Sequence, residues 1–471
     1  MRSSHLLLAL ISLSLLACPP ATMETDSGQP MDAGVDAGAV ARDLDVAVLK
    51  FKTDGTLDTS FGEAGKVVLD LGAATGAARD TVYGFDVDGQ GRLVLFGSSK
   101  ATGRADVDRF VARLTGNGVL DTSFGVDGLQ RLDLGGTTDN ARHGFVQADG
   151  KIVASGYTPL PTGALLADGG LQTANAVVLE RLGVNGVPDS TFGTDGVVRF
   201  DPFSPVAPNT LWGMAEAYAV VPQSGGRLVT VGYGRAAASG PVDVVSFRFD
   251  SAGAPDLTWG TGGKLVFDVI GADERGRHAV VLPDDRVVVL GSATPLTSNV
   301  DALLLMLKAD GSLDTSFDGD GARTFSFDRK DEAFWAGAVG PGAMTLAAVG
   351  YRTGPANTDV ENDDALLALI PLTTGAPAEF VQPVPLSTGA HDRFLSVAWD
   401  GMKVVASGFV REGDDTRFAV ARFNADGSRD TTFGNGGLVT VNLATGGTEE
   451  AARAVKVLAD GSILVAGVVE H

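Results

Sequence analysis

The chain has 471 residues and a formal charge of −22, from 36 Lys and Arg against 58 Asp and Glu. So acidic a chain repels phosphate backbones and anionic headgroups, which sets nucleic acid aside as a partner. A single cysteine excludes a disulfide framework and any cysteine-based zinc site, while 63 glycines and 44% apolar residues describe a turn-rich, β-rich chain with ample core material.

Arg2 opens the chain with a positive charge, and Leu6 to Ala17 forms an apolar run broken only by Ser12 and Ser14. That run has the length of a secretory apolar region and is too short to span a bilayer. It ends Leu15-Leu16-Ala17-Cys18, which resembles the lipobox of bacterial lipoproteins. The resemblance implies a signal peptide over residues 1–17, cleavage before Cys18 and lipidation of that thiol. Acyl chains contributing about 0.8 kcal/mol per buried CH₂ then anchor the protein to a membrane. Pro19 stands where some Gram-negative lipoproteins carry Asp as an inner-membrane retention signal, so the implied address is the outer membrane of the cell envelope. A secreted protein with a cysteine in its signal is the alternative. Residues 18–42 carry Pro, Gly, Asp and Ala with little to pack, and read as a disordered tether.

From residue 43 the chain is a repeat. Leu57-Asp58-Thr59-Ser60-Phe61-Gly62 returns as Leu120–Gly125, Pro188–Gly193, Pro255–Gly260, Leu313–Asp318 and Arg429–Gly434, with a decayed copy at Gly375–Phe380. Each unit holds four short predicted strands; in the first they cover Lys66–Leu69, Thr81–Val87, Arg92–Gly97 and Arg109–Leu114. The third of these ends in glycine in every unit, at Gly97, Gly156, Gly232, Gly291, Gly350, Gly408 and Gly467. In the decayed unit Pro383 and Pro385 replace strand residues.

Over residues 43–471 these units resemble the delta-60 repeat family, bacterial tandem repeats with a DGK-like turn, a strand ending in Gly and an LD-x-SFG signature. The resemblance implies a propeller-like fold and brings no catalytic residue with it. Strand arithmetic points the same way: four strands per unit make a propeller blade. The last unit stops after its third strand, and Val46–Phe51 has the sequence of a fourth, as in Phe418–Phe423. The expected fold is therefore an all-β, seven-bladed β-propeller whose ring the N-terminal strand closes, leaving no free sheet edge between the termini. A β-solenoid is the alternative.

Two sets of residues stand out for function. Asp70, Asp133, Asp201 and Asp268 each end the strand that follows a signature, with Asn442 and Ser326 at the corresponding places and Asp328 two beyond. If that strand lines the channel, these oxygens converge on one mouth and suit a hard cation such as Ca²⁺; otherwise each Asp caps the turn after it. Tyr83, His143, Tyr218, His278, Trp335 and Arg453 occupy corresponding places at the start of the next strand, beside the longest loops. A partly aromatic mouth ringed by variable loops is where propellers bind ligands, here an unidentified protein or glycan. Neither G-x-S-x-G nor H-E-x-x-H occurs, so the chain reads as a monomeric, lipid-anchored binding or scaffolding module rather than an enzyme. The alternative is a metal-dependent propeller hydrolase or lactonase acting at the channel mouth.

Overall fold

Ring closure is the first thing the strand pairing settles. Leu44–Phe51 pairs antiparallel with Ile463–Glu470 along its whole length, from Leu44 opposite Glu470 to Phe51 opposite Ile463. Lys66–Leu69 then adds to the free side of Leu44–Phe51. The closing blade is thus built from two C-terminal strands, Glu450–Val457 and Ile463–Glu470, and two N-terminal ones.

The computed structural model describes residues 43–470 apart from the segments 73–78, 101–105, 136–137, 166–170, 204–213, 237–239, 269–272, 295–298, 328–330, 354–362, 374–378, 388–390, 414 and 446–447. Cys18, the segments expected to be signal peptide and tether, and Asp328 lie outside the described residues. Within them the chain forms seven four-stranded antiparallel sheets. Blades one to six are residues 81–132, 140–200, 214–267, 273–325, 332–383 and 392–441, and the closing blade is the seventh. The seven-bladed, four-stranded, all-β expectation holds.

The phase of the blades differs from the sequence reading. The strands that pack on one another around the ring are Thr81–Val87, Asn140–Val146, Met214–Gln223, Asp273–Val281, Glu332–Val339, Asp392–Asp400 and Glu450–Val457. These are the innermost strands. The four-residue strand after each signature is instead the outer edge of the same blade. The reason lies in the signature, which folds back on the strand before it. Arg113 N donates to Gly128 O at 3.0 Å and Arg422 N to Gly437 O at 2.9 Å, so the chain leaves the turn already paired with its own blade. The N-terminal strand accordingly supplies the third strand of the closing blade, not the fourth. Phe380–Pro383 forms an outer strand despite its proline, which an edge strand accommodates.

Between blades the signature aromatic fills the gap. Phe61, Phe124, Phe192, Trp259 and Phe433 are fully buried, each in a cluster drawn from two adjacent blades. Each lies under a turn of the next blade: a Cβ on Gly311 would lie 2.4 Å from the Trp259 ring, and φ there is +84°. The residue after the aromatic donates to that turn, as in Gly125 N to Asn185 O at 2.8 Å and Gly434 N to Asp54 O at 2.8 Å. The signature Asp holds an arginine of the third strand. Arg113 Nε to Asp121, Arg181 Nε to Asp189 and Arg248 Nε to Asp256 each measure 2.8 Å, and each guanidinium lies 4.5–4.9 Å over the signature ring. The signature is a blade-to-blade clamp, and both ends of the chain use it.

Candidate functional site: an arginine–aromatic ring at the channel mouth

Every innermost strand carries a β-bulge near its start, and the recurrent glycine, which lies within each second strand rather than at its end, permits it. A Cβ on Gly97 would lie 2.1 Å from Thr81 O, and on Gly156 1.8 Å from Asn140 O; the other five glycines of this set stand as close to the opposing carbonyl. The bulge sets two residues against one and re-aims the extra side chain. The bulged residues are Tyr83, Arg142, Tyr218, Arg277, Trp335, Leu395 and Arg453.

Their side chains meet from blade to blade. Arg142 Cζ lies 4.5 Å over Tyr83 and 4.9 Å over Tyr218. Arg277 Cζ lies 5.0 Å over Tyr218 and 4.9 Å over Trp335, and Arg453 Cζ closes the other side 5.3 Å over Tyr83. Cations and rings alternate, each guanidinium lying over a π-face. Leu395 of blade six is the one position of the seven with neither charge nor ring.

The second strands raise this wall further. Arg142 Nη2 donates to Tyr157 OH at 2.7 Å, and the hydroxyls of Tyr218 and Tyr233 are 3.0 Å apart. Arg275 lies 5.3 Å over Tyr233 and Arg393 4.0 Å over Tyr351. The chain has five tyrosines, and all five are in this cluster, each stacked with an arginine. Phenylalanine, with 23 copies, serves the blade packing instead. Cations crowd here: burial, and then neighbouring Arg277, pulls the Arg275 pKa down to about 10. Glu216, the carboxylate beside Arg142 and Arg277, is pushed up by burial toward its neutral form.

Of the six residues expected at the mouth, Tyr83, Tyr218, Trp335 and Arg453 are ring members. His143 and His278 are not; each follows the bulged arginine. At that next position the other blades place Gly84, Ala219, Ala336, Ser396 and Ala454, so two imidazoles fill a lumen that five small residues leave open. They belong to blades two and four, and their edge-to-face contact, with centroids 5.5 Å apart, passes in front of blade three, where His143 Nδ1 lies 3.1 Å from Val220 O. Burial pushes both pKa values down, that of His278 to about 3 with His143 adding to it. Both are neutral at pH 7.

The aspartates do not line the channel. Asp70, Asp133, Asp201 and Asp268 follow outer strands, because the blade phase puts the strand after each signature at the rim. Asp70 and Asp133 each cap the following turn, accepting from Gly72 N at 3.0 Å and Gly135 N at 2.9 Å, and Asp201 accepts from Phe203 N at 3.1 Å. Three of the four sit in separate carboxylate triads: Asp43, Asp45 and Asp70; Asp106, Asp108 and Asp133; Asp243, Asp268 and Glu274. Ligand atoms within each triad lie within 4.8 Å of one another.

A further set of acids was missed from the sequence alone. Asp80, Asp139, Glu274, Glu332, Asp392 and Glu450 each stand three residues before a ring position and are buried, with Ala215 at that place in blade three. They staple neighbouring blades: Asp139 accepts from Leu134 N at 2.7 Å, Asp392 from Leu386 N and Ser387 N at 2.8 Å, and Glu450 from Leu443 N at 2.8 Å. Burial raises Asp80 and Glu450 to about 7 and Glu332 to about 8. An acid three residues ahead of the mouth position, in six units of seven, was the available sequence signal.

Residues 33–61, 91–124, 282–317 and 400–433 match the family model described as a domain of unknown function (DUF5122) beta-propeller. No curated protein matches the chain. Similar solved structures include a polysaccharide lyase of family PL25, an ulvan lyase (10% identity, 72% of this chain and 80% of that one, TM-score 0.41). Sqt1 from Chaetomium thermophilum has 12% identity over 83% of this chain and 95% of its own, with a TM-score of 0.40. An α-L-arabinofuranosidase from Lactobacillus brevis has 12% identity over 65% and 94%, with a TM-score of 0.34. Likeness at that level says nothing about what this chain binds. The four matched segments make the chain similar to that propeller family over those residues, in keeping with its closed ring of seven blades.

Proposed function

We propose that the chain is a cell-envelope lipoprotein of the delta-60 repeat type that presents one face of its propeller as a binding surface. The observation carrying this reading is the placement of every tyrosine, with Trp335 and five arginines, at one channel mouth. Tyr, Trp and Arg are the residues that dominate binding energetics, because they combine large area with directional donors. A chain with only five tyrosines in 471 residues does not gather them all at one point for blade packing, which phenylalanine already performs. The hydrolase reading is less well supported, since the carboxylate triads belong to blade junctions and outer strands. Cys18 and the membrane address rest on the lipobox resemblance.

Two measurements test the proposal. Tyr83→Ala and Arg277→Ala, made singly in the full chain, remove ring members while leaving the blade clamps untouched. Loss of captured ligands on glycan arrays and in envelope pull-downs is expected; profiles identical to wild type would refute the mouth. For the anchor, Cys18→Ala moves the protein from the membrane fraction to the soluble one, and continued membrane association would refute lipidation.

A further inference from the structure

We infer that the gap in the ring at Leu395 is an oxyanion site, taking one carboxylate, sulfate or phosphate group of a ligand at the channel mouth. The inference rests on the binding reading above and names the chemistry that mouth selects.

The two ring residues flanking Leu395 carry donors with nothing to donate to. On the blade-seven side, Nε and Nη1 of Arg453 are buried without a hydrogen-bond partner, in a side chain 4% exposed. The nearest carboxylate oxygen, from Glu449, is 3.9 Å from Nη2 on the same guanidinium. On the blade-five side, Nε1 of Trp335 is buried and unpartnered too. Buried donors are satisfied in folded proteins as a rule, and a charged donor left unsatisfied is the costliest kind. Nε–H and Nη1–H lie on different edges of the guanidinium, so an oxyanion takes a single charge-assisted hydrogen bond from either one, with the Trp335 N–H as a second donor across the ring.

The rest of the ring prepares that guanidinium. Arg453 lies over Tyr83, so less side-chain freedom remains to be lost on binding. Arg142 and Arg277 bring two further positive charges to the same ring. The positive knot is local, for the chain as a whole carries −22. Leu395, the seventh member, brings neither charge nor donor between Trp335 and Arg453.

An oxyanion reaches such a site either as a free ion or on an acidic polymer, and the arms of the test separate these. The full chain in nonionic detergent is titrated at constant ionic strength with sodium sulfate and sodium phosphate against sodium chloride. The same is done with polygalacturonate against its methyl ester, and with dextran sulfate against dextran. The readouts are Trp335 emission, identified by its loss in Trp335→Phe, and calorimetric affinity. Saturable binding of the charged member of a pair and not the neutral one is expected. Arg453→Gln weakens it at least tenfold, Trp335→Phe severalfold, and Lys308→Gln on the opposite face has no effect. Binding of the free ions identifies a small-anion site, and binding of the polymers alone a site for acidic glycans; either supports the inference. Should Arg453→Gln fail to fold, Leu395→Glu, whose carboxylate competes for the same donors and repels a second anion, is expected to abolish anion binding. Equal binding of charged and neutral members, or wild-type affinity in Arg453→Gln, overturns it. If neutral polymers bind and Tyr83→Ala abolishes that binding, the mouth stands and the oxyanion inference alone falls.

Discussion

Removing residues 43–69 tests the closed ring most directly. This segment supplies two strands of the closing blade, and Leu44, Val46, Val48, Leu49, Phe51 and Phe61 in it are between 0% and 3% exposed. At about 1.5–3 kcal/mol for each fully buried apolar side chain, their loss removes about 9–18 kcal/mol of burial. That matches or exceeds the roughly 5–15 kcal/mol by which a domain is ordinarily stable. It also opens the edge of Ile463–Glu470 to pairing with other chains and strips Phe433 of the turn at Gly55 that covers it. The truncated chain is expected to aggregate, seen as loss of the monomer peak in size exclusion and of the cooperative transition in circular dichroism. A rearranged chain separates closure from mere loss of sequence. Because Leu44 sits opposite Glu470, moving residues 43–69 behind Glu470 through a short hairpin loop turns the two strands into an ordinary blade hairpin. This permutant should fold as a monomer with a melting temperature close to that of the parent. A truncated chain as stable and monomeric as the parent, or a permutant that does not fold, would refute the pairing.

Phe124→Ala empties a buried space between blades one and two and should cost about 3–5 kcal/mol, read as a lower midpoint in urea. Stability should fall as pH rises from 5.5 to 8.5. Burial places the Asp80, Glu332 and Glu450 carboxyls at about 7 to 8 when folded, above their unfolded values, so the folded state holds protons that the unfolded state has released. The stabilisation is complete below the unfolded pKa and is lost as pH climbs through the folded one. Glu332→Gln should flatten that slope, and an unchanged slope would show that this carboxyl does not titrate there. The signature clamps behave oppositely: hydrogen bonds from Thr191 and Lys151 hold Asp189 well below the usual carboxylate range, so their contribution is lost only in strong acid. Millimolar Ca²⁺ at pH 8 should raise the melting temperature if the junction triads take a cation, and equal values in Ca²⁺ and EDTA would dismiss it.

Much of the architecture was legible because a repeat exposes itself by position. The signature, the recurrent strand glycine and the strand-like Val46–Phe51 sufficed for blade number and closure. Blade phase was not legible, since a four-residue strand such as Lys66–Leu69 has the same composition whether it lines a channel or forms a rim. What decides is the return of the signature turn onto its own strand, a backbone pairing that leaves no trace in side-chain pattern. That one shift moved Asp70, Asp133, Asp201 and Asp268 from the channel to the rim, and with them the picture of a single shared ion.

The mouth was half legible for a related reason. Aligning the units by strand start placed Tyr83, Tyr218, Trp335 and Arg453 correctly but took His143 and His278 for their counterparts, one residue beyond Arg142 and Arg277. A bulge adds a residue without altering the alternation around it, so neighbouring positions both point inward and sequence cannot rank them. The glycines mark the bulges, and they are the same in all seven blades. The bulged residues vary: two tyrosines, a tryptophan, three arginines and a leucine. Invariant backbone chemistry therefore builds seven equivalent inward positions, while the side chains there are left to differ. In a ring whose packing residues repeat from blade to blade, residues that alternate in charge and ring character around one mouth answer to something outside the packing. The break at Leu395, between two donors that the fold leaves unsatisfied, is where that demand is sharpest.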